Sequence, residues 1–201
     1  MNKSRFFVTS LVTILLAGCI PSLHAIYSEK DVIFDPQLVG VWKPKDGDGT
    51  WQFTKRGDKA YQFVCTENDG DKGNFTAHLT RLGDVTFLDI APDKDQIASS
   101  DFHRTYLLPL HTFFRVDELS SSHLKLSTMD FEALKRYLAK NPDALPHQKI
   151  DNDVLVTAST AELQKFVTST DAKGMFTELG ALTRHDPQDA EQNNEARSND
   201  P

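Results

Sequence analysis

Apolar and polar residues alternate with a period of two through most of the chain between residues 38 and 128. Trp51 and Phe53 alternate with polar residues in one run, and Tyr61 and Phe63 do so in the next. This pattern is typical of antiparallel strands with one buried and one solvated face. Clusters of Gly, Asp and Asn separate the runs, and these residues accept the positive φ of tight hairpin turns.

No helical pattern interrupts these hairpins, so they predict a meander. The run at Val85–Ile90 is almost continuously apolar, and the run at Tyr106–Val116 is long enough for two strands bent near Pro109. About eight strands result, which is enough to close a sheet into a barrel. The predicted fold class is therefore mainly β, with an antiparallel up-and-down barrel.

After Thr128 the apolar period changes to that of a helix. Asp130 can cap a helix that runs to about Lys140. Ser159 and Glu162 have the spacing of a capping box, which opens a second helix. We expect two or three C-terminal helices to pack outside the barrel.

A short strand is predicted at residues 154–156, and a third helical turn at residues 175–182. The barrel and its helices are expected to span residues 36–182. From His185 onward the chain has no large apolar residue, so residues 183–201 are predicted to form a disordered tail.

The N-terminus has the pattern of an export signal. Lys3 and Arg5 precede an apolar run at Phe6–Ala17, which is too short to span a bilayer. Residues 1–18 are therefore predicted to be a signal peptide.

The apolar run ends in Leu16–Cys19, which resembles the lipobox of bacterial lipoproteins. This resemblance implies cleavage after Gly18, diacylglycerol on the sulfur of Cys19 and usually a third acyl chain, such as palmitate, on the new amino group. Two or more chains anchor a protein stably to a membrane. The alternative is ordinary signal cleavage after Ala25, although Leu23 fits that cleavage pattern badly.

The residues after the lipobox bear on location. Ile20 stands where inner-membrane lipoproteins often carry Asp, so the resemblance favours the outer membrane, with the domain facing the periplasm. Residues 19–35 are expected to be the lipidated Cys and a short tether, because they show little periodicity.

The net charge and the cysteine content argue against two features: a nucleic-acid-binding surface and an intramolecular disulfide. Loss of residues 1–18 removes two positive charges and moves the formal net charge from −7 to −9. A basic surface for nucleic acid is therefore not expected. With Cys19 acylated, Cys65 has no partner for an intramolecular disulfide, and we predict a buried, inert thiol.

Gly40–Trp42, which follows Asp35 and Pro36 at the start of the first barrel strand, resembles the G-x-W signature of lipocalins and their calycin relatives. In that fold the Trp closes the floor of the barrel. Residues 38–182 are similar to small, mostly uncharacterised lipocalin-like lipoproteins of bacteria. Two stretches carry this similarity: Leu107–Val116 and Leu155–Leu163. The resemblance implies a shared architecture and brings no ligand, reaction or catalytic residue.

Motifs for catalysis are missing from the sequence. It contains no G-x-S-x-G, no glycine-rich phosphate loop, no H-E-x-x-H and no C-x-x-C. An enzyme is not predicted, and neither is a cofactor.

Two sets of residues raise the question of a metal. The Asp46 and Asp69 loops lack the Gly and the Glu of a calcium loop, so they are interpreted as hairpin turns. His103, His111 and His123 fall on neighbouring predicted strands, but their spacing does not fix which faces they occupy. No metal site is predicted.

Alternation along one strand leaves two alternatives for the barrel interior. One face carries His111, Phe113 and Arg115; the opposite face carries the residues Leu110, Thr112, Phe114 and Val116. If the first face points inward, its His and Arg could anchor an anionic or amphiphilic ligand. If the second face points inward, the barrel has a solid apolar core, which is favoured because small barrels usually fill with their own side chains.

Two functions from different classes follow. The first is a membrane-anchored periplasmic binding protein for a small apolar or amphiphilic ligand, with Trp42, His111, Phe113 and Arg115 as candidate contacts. The second is a structural or regulatory envelope protein with a filled barrel that acts through contacts with other proteins.

Overall fold

The computed structural model describes residues 20–45, 47, 49–93 and 108–185. The fold is mainly β, with eight antiparallel strands closed into a barrel. The predicted signal peptide and Cys19 lie outside the described residues, and so do Asp46, His103 and residues 186–201. Within the described part of the chain, no helix has both the length and the hydropathy to cross a membrane.

Seven barrel strands follow one another as a meander, as predicted. They are β2 Gly40–Pro44, β3 Thr50–Arg56, β4 Ala60–Thr66, β5 Lys72–Leu82, β6 Val85–Pro92, β7 Thr112–Leu119 and β8 His123–Met129. The eighth, β11 Phe176–His185, pairs with both β8 and β2 and so closes the ring. A two-residue strand, β1 Val32–Ile33, pairs with β5 beside the barrel.

The origin of the eighth strand was predicted wrongly. In the described part of the run at Tyr106–Val116, from Leu108 onward, there is one strand: Leu108–Leu110 is not in a strand, and β7 begins at Thr112. Of residues 175–182, which were predicted to be helical, all but Met175 belong to β11 instead.

A β-bulge explains the wrong helical prediction for β11. Its register shifts between Glu178 and Gly180, and Gly180 has a φ of 135°. The extra residue changes the phase of the alternation, so that Leu179 and Leu182 both contact the barrel core. Their spacing from Met175 then imitates one face of a helix.

The barrel interior is filled with apolar side chains, most of them aromatic or leucine. Its buried members are Leu38, Trp42, Trp51, Phe53, Tyr61, Phe63, Ala77, Leu79, Leu88, Phe114, Leu124 and Leu126. The rings of Phe53 and Phe63 stack with centroids 4.6 Å apart. Phe114 and Val116 face this interior, whereas Phe113 belongs to a different cluster. The solid apolar core is therefore the alternative that the structure adopts.

A second layer covers the outer face of one side of the barrel. It contains the helices α1 Phe131–Lys140, α2 Thr160–Val167 and α3 Thr170–Lys173, and the hairpin of β9 His147–Ile150 and β10 Asp153–Val156. The predicted Asp130 cap and the Ser159–Glu162 capping box are both present. Apolar side chains of this layer form a second core with Phe87, Phe113 and Met129 of the barrel.

Residues 20–35, which were predicted to be a tether, are part of the folded domain instead. Ile20 is 4% exposed and Ile26 is fully buried in the second core. Farther along, Asp35 caps a short 3-10 helix at Pro36–Leu38, and the Tyr61 hydroxyl donates to the Asp35 carbonyl. This N-terminal segment is held to the barrel by backbone hydrogen bonds and isolated side chains, which leave no period in the sequence.

At the C-terminal end, β11 reaches His185, three residues into the predicted tail.

Trp42 is fully buried, and its indole N–H donates to the Leu38 carbonyl over 2.9 Å. Arg184 covers it, with the guanidinium carbon 4.3 Å from the ring centroid. The same guanidinium donates to the carbonyls of Val39 and Gln37. Arg184 therefore ties β11 to the residues that precede β2.

Gly40 makes room for this arginine. Its φ is 143°, and a Cβ built there would lie 2.1 Å from an Nη of Arg184. The Gly and the Trp of the G-x-W motif thus serve one contact: Trp42 supplies the ring, and Gly40 lets the guanidinium approach it.

The single free cysteine of the described chain is Cys65, on β4. It is only partly buried, yet burial and the nearby Glu67 raise the pKa of its thiol to about 11. A neutral thiol at physiological pH is a poor nucleophile, in keeping with the predicted inertness.

We expect Arg184→Ala and Gly40→Ala each to lower the free energy of unfolding by about 2 kcal/mol. The first loses a cation–π contact and three charge-assisted bonds, the third of which runs from Nε to the Ser121 carbonyl; the second strains φ and displaces the guanidinium. Because both act on one contact, the double variant should lose clearly less than the sum of the two. Urea unfolding measures this, with Arg56→Ala, a surface arginine paired to Asp93, as the control. Strictly additive losses would contradict the shared contact.

Candidate functional site

The four residues predicted to contact a ligand do not meet in one place. Trp42 is part of the barrel interior, whereas His111, Phe113 and Arg115 point to the outer side of the barrel. On that outer side His111 and Arg115 belong to two neighbouring sites. One is a buried polar cluster under the N-terminal segment, and the other is a groove beside the helices.

Asp89 is the centre of the polar cluster, and it is 1% exposed. One carboxylate oxygen lies 2.7 Å from Nδ1 of His111, and the other accepts the backbone N–H of Ile26 over 3.0 Å. Since a carboxylate only accepts, the His111 proton is placed on Nδ1, which leaves Nε2 as the second nitrogen for other partners. A buried carboxylate thus holds both an imidazole and the N-terminal segment.

Tyr27 and His78 complete this cluster. His78 is the direct neighbour of Asp89 across β5 and β6, and its ring lies 4.2 Å from the Tyr27 ring. Burial lowers the pKa of His78, and burial together with Asp89 raises the pKa of Tyr27. Both groups are therefore uncharged at neutral pH.

Of the three histidines considered as metal ligands, His103 lies outside the described residues, and the other two, His111 and His123, do not come together. His123 lies at the start of β8, beside Ser122, at the other end of β7 from His111. In the parts of the chain that the structure describes, no three His, Cys, Asp or Glu side chains are arranged to hold a metal ion. In the loop with Asp69, its carboxylate accepts the Asp71 N–H over 3.1 Å, as in an Asx turn.

A groove of about 520 Å³ lies between the barrel and the helices α2 and α3. Its lining is mostly apolar: Leu82, Val85, Phe87, Val167, Phe176 and the methyl-bearing Thr168. Three charged residues, Asp84, Arg115 and Lys173, also line it. Volume and lining fall within the range for sites that bind small molecules.

Arg115 is held firmly at this groove. Its Nε donates to Asp117 over 2.6 Å, one Nη donates to Ser127 over 3.2 Å, and its guanidinium lies 5.0 Å from the Phe176 ring centroid. These two bonds use two of its five N–H donors. A pre-positioned guanidinium loses little side-chain entropy when it binds an anion.

No family model, curated protein or solved structure matches this chain. The function is therefore inferred from the geometry of the groove and of the polar cluster.

Only part of these two sites could be identified from the sequence. Phe113 supports the groove from below, with its ring 6.4 Å from that of Phe87. Asp89, Tyr27 and His78 were missed, although a carboxylate inside the apolar run of β6 was a usable signal. Lys173 could not have been found, because α3 comes to the groove only through the fold.

We expect Asp89→Ala to lower the free energy of unfolding by about 3 kcal/mol, because it leaves the Ile26 N–H and the His111 ring without their buried acceptor. Glu118→Ala is the matched control: its carboxylate faces Lys125 over 3.6 Å near the surface, and its loss should cost under about 0.5 kcal/mol. Urea unfolding measures both. Equal losses would show that the buried carboxylate does not fasten the N-terminal segment.

Proposed function

We propose that this chain is a lipoprotein of the bacterial envelope, anchored through Cys19, which binds a small anionic amphiphile in the groove between its barrel and helices. The observation that carries the proposal is the groove, where an apolar lining meets a fixed guanidinium. The lipocalin-like barrel serves in this proposal as a solid scaffold.

The lining defines the class of ligand. The partly exposed side chains of Leu82, Val85 and Phe176 offer apolar surface to a hydrocarbon chain, and each buried CH₂ contributes about 0.8 kcal/mol. Arg115 and Lys173 offer hydrogen bonds and positive charge to a carboxylate or sulfonate head. Molecules with one acyl chain and one acidic head combine both features.

The anchor is supported by the sequence around Cys19 and by the charge-poor start of the mature chain. Residues 20–26 contain no Asp, Glu, Lys or Arg. Acyl chains on Cys19 would hold the domain at the periplasmic side of a membrane, with the outer membrane favoured by Ile20.

The filled barrel also favours the second candidate, a structural or regulatory protein that binds other proteins through its surface. The two candidates differ in what the purified protein carries. Native mass spectrometry of the detergent-solubilised lipoprotein should show a bound small molecule if the groove is a ligand site. A clean mass that does not shift with added dodecanoate would favour protein contacts.

We expect Arg115→Ala to weaken the binding of dodecanoate by about 10-fold or more, because a charge-assisted bond to a carboxylate contributes about 1.5–3 kcal/mol. Lys173→Ala should weaken it less, since an exposed lysine supplies a screened charge. Displacement of a fluorescent anilinonaphthalene sulfonate measures both. Lys125→Ala, a cation outside the groove lining, is the control; an equal effect from all three would contradict a specific site.

We expect Cys19→Ala to release the protein from the membrane fraction of cells, because the variant has no sulfur to carry diacylglycerol. Fractionation and the mass of the mature N-terminal peptide measure this. Unchanged membrane association of the variant, or a mature N-terminus of the unmodified chain at residue 26, would refute the anchor. Neither outcome would affect the proposed ligand site in the groove.

A further inference from the structure

The first described residues are fixed rigidly against the domain. Ser22 exchanges two backbone hydrogen bonds with His111, of 2.9 and 2.8 Å. The Leu23 N–H donates to the Val156 carbonyl, and the Val156 N–H donates to the Pro21 carbonyl, each over 2.9 Å. Ile20, next to Cys19, is 4% exposed. There is consequently no flexible spacer between Cys19 and the folded domain.

Three other segments meet the N-terminus at this point. Residues 108–111 lead to His111, residues 154–158 contain Val156, and the Thr157 N–H donates to the Pro146 carbonyl. Residues 20–23, 108–111, 145–147 and 154–158 contain no Asp, Glu, Lys or Arg, in a protein of which 25% is charged. These four segments are called here the anchor-side surface.

Apolar side chains are exposed on this surface. Leu108 is 74% exposed, more than any other large hydrophobic residue that the structure describes. Pro146 is exposed as well, and Pro21, Leu23 and Pro109 are partly exposed. A single exposed leucine is common on protein surfaces, so its place on the anchor-side surface matters. Because Ser22 and His111 pair antiparallel, Ile20 lies towards Phe113 and Leu108 lies towards Ala25, and the surface extends roughly 17 Å along the N-terminal segment between them.

We propose that the anchor-side surface lies directly on the bilayer, with Leu108 in the interfacial region. This inference rests on the proposed acylation of Cys19. Consecutive Cα atoms are about 3.8 Å apart, so acyl chains that enter the bilayer at Cys19 bring Ile20 to the headgroups. The domain cannot stand away from the membrane, and the anchor-side surface, including Leu108, meets the lipid when the segment from Ile20 to Ala25 lies along the bilayer plane.

The distribution of charge favours the same orientation of the domain on the bilayer. The mature chain carries a formal net charge of −9, and bacterial bilayers contain anionic lipids, so acidic surfaces are repelled. The uncharged anchor-side surface avoids this repulsion. Its exposed leucine and prolines gain free energy in the interface, where charged side chains would lose hydration.

The test uses the acylated full-length protein in vesicles of phosphatidylcholine and phosphatidylglycerol. In a Cys65→Ala background, Leu108→Cys is labelled with the fluorophore NBD. Ser121→Cys is the matched control, since Ser121 is exposed in the turn at the opposite end of β7, roughly 25 Å away along the eight residues of that strand. Nitroxide groups on the lipid acyl chains then report contact with the bilayer.

We expect the label at position 108 to be blue-shifted and quenched by the nitroxide lipids, and the label at position 121 to be unaffected. If the protein floats with the vesicles and neither label is quenched, the bilayer contact is refuted while the anchor stands. Equal quenching of both labels refutes a fixed orientation. Shielding of position 108 from aqueous iodide without lipid quenching refutes the bilayer contact and assigns the surface to a contact between copies of this protein. If the protein does not float, the anchor fails and the inference with it.

Discussion

Closure of the sheet by β11 is the constraint on which the rest of the structure depends. Without this strand, β2 and β8 would present unpaired edges and the aromatic interior would open to water. The chain reaches the gap between them only after α1, the β9–β10 hairpin, α2 and α3, so these elements must cross the outside of the barrel. The second core and the groove exist because the last strand comes from so far along the chain. Arg184 on Trp42 then fastens the closing strand to the first one.

The outer faces of β5, β6 and β7 are divided between two tasks. Asp89 and Phe87 lie two residues apart on the same face of β6, yet Asp89 belongs to the polar cluster and Phe87 to the groove. His111, just before β7, and Arg115, within it, repeat this division. The segment that follows Cys19 is fastened by the first member of each pair, and the groove is lined by the second of each. The proposed attachment to the membrane and the proposed binding of a ligand would therefore share two adjacent strands of the same scaffold.

The elements with a local cause could be predicted from the sequence. Hairpin strands β3 to β6 and the capped helices α1 and α2 follow from alternation, turn residues and caps, all of which act within a few residues. The prediction failed where a distant partner decides the structure. The bulge in β11 changes the phase of its pattern, and the segment from Ile20 to Ile26 is held by single contacts to Asp89, His111 and Val156.

The same distinction explains the outcome for the candidate site. Alternation correctly separated His111, Phe113 and Arg115 from Phe114 and Val116, but it could not say which face pointed inward. The apolar volume of Phe114 and its neighbours fills the interior, so the face with the polar residues had to turn outward. Outside the barrel, a His and an Arg would remain ordinary surface residues if nothing covered them. The N-terminal segment and the helices do cover them, so that His111 becomes a partly buried hydrogen-bond partner of Asp89 and Arg115 a guanidinium beside an apolar groove. In this fold the chemistry of the barrel therefore lies on its outer wall, and the added layer defines it.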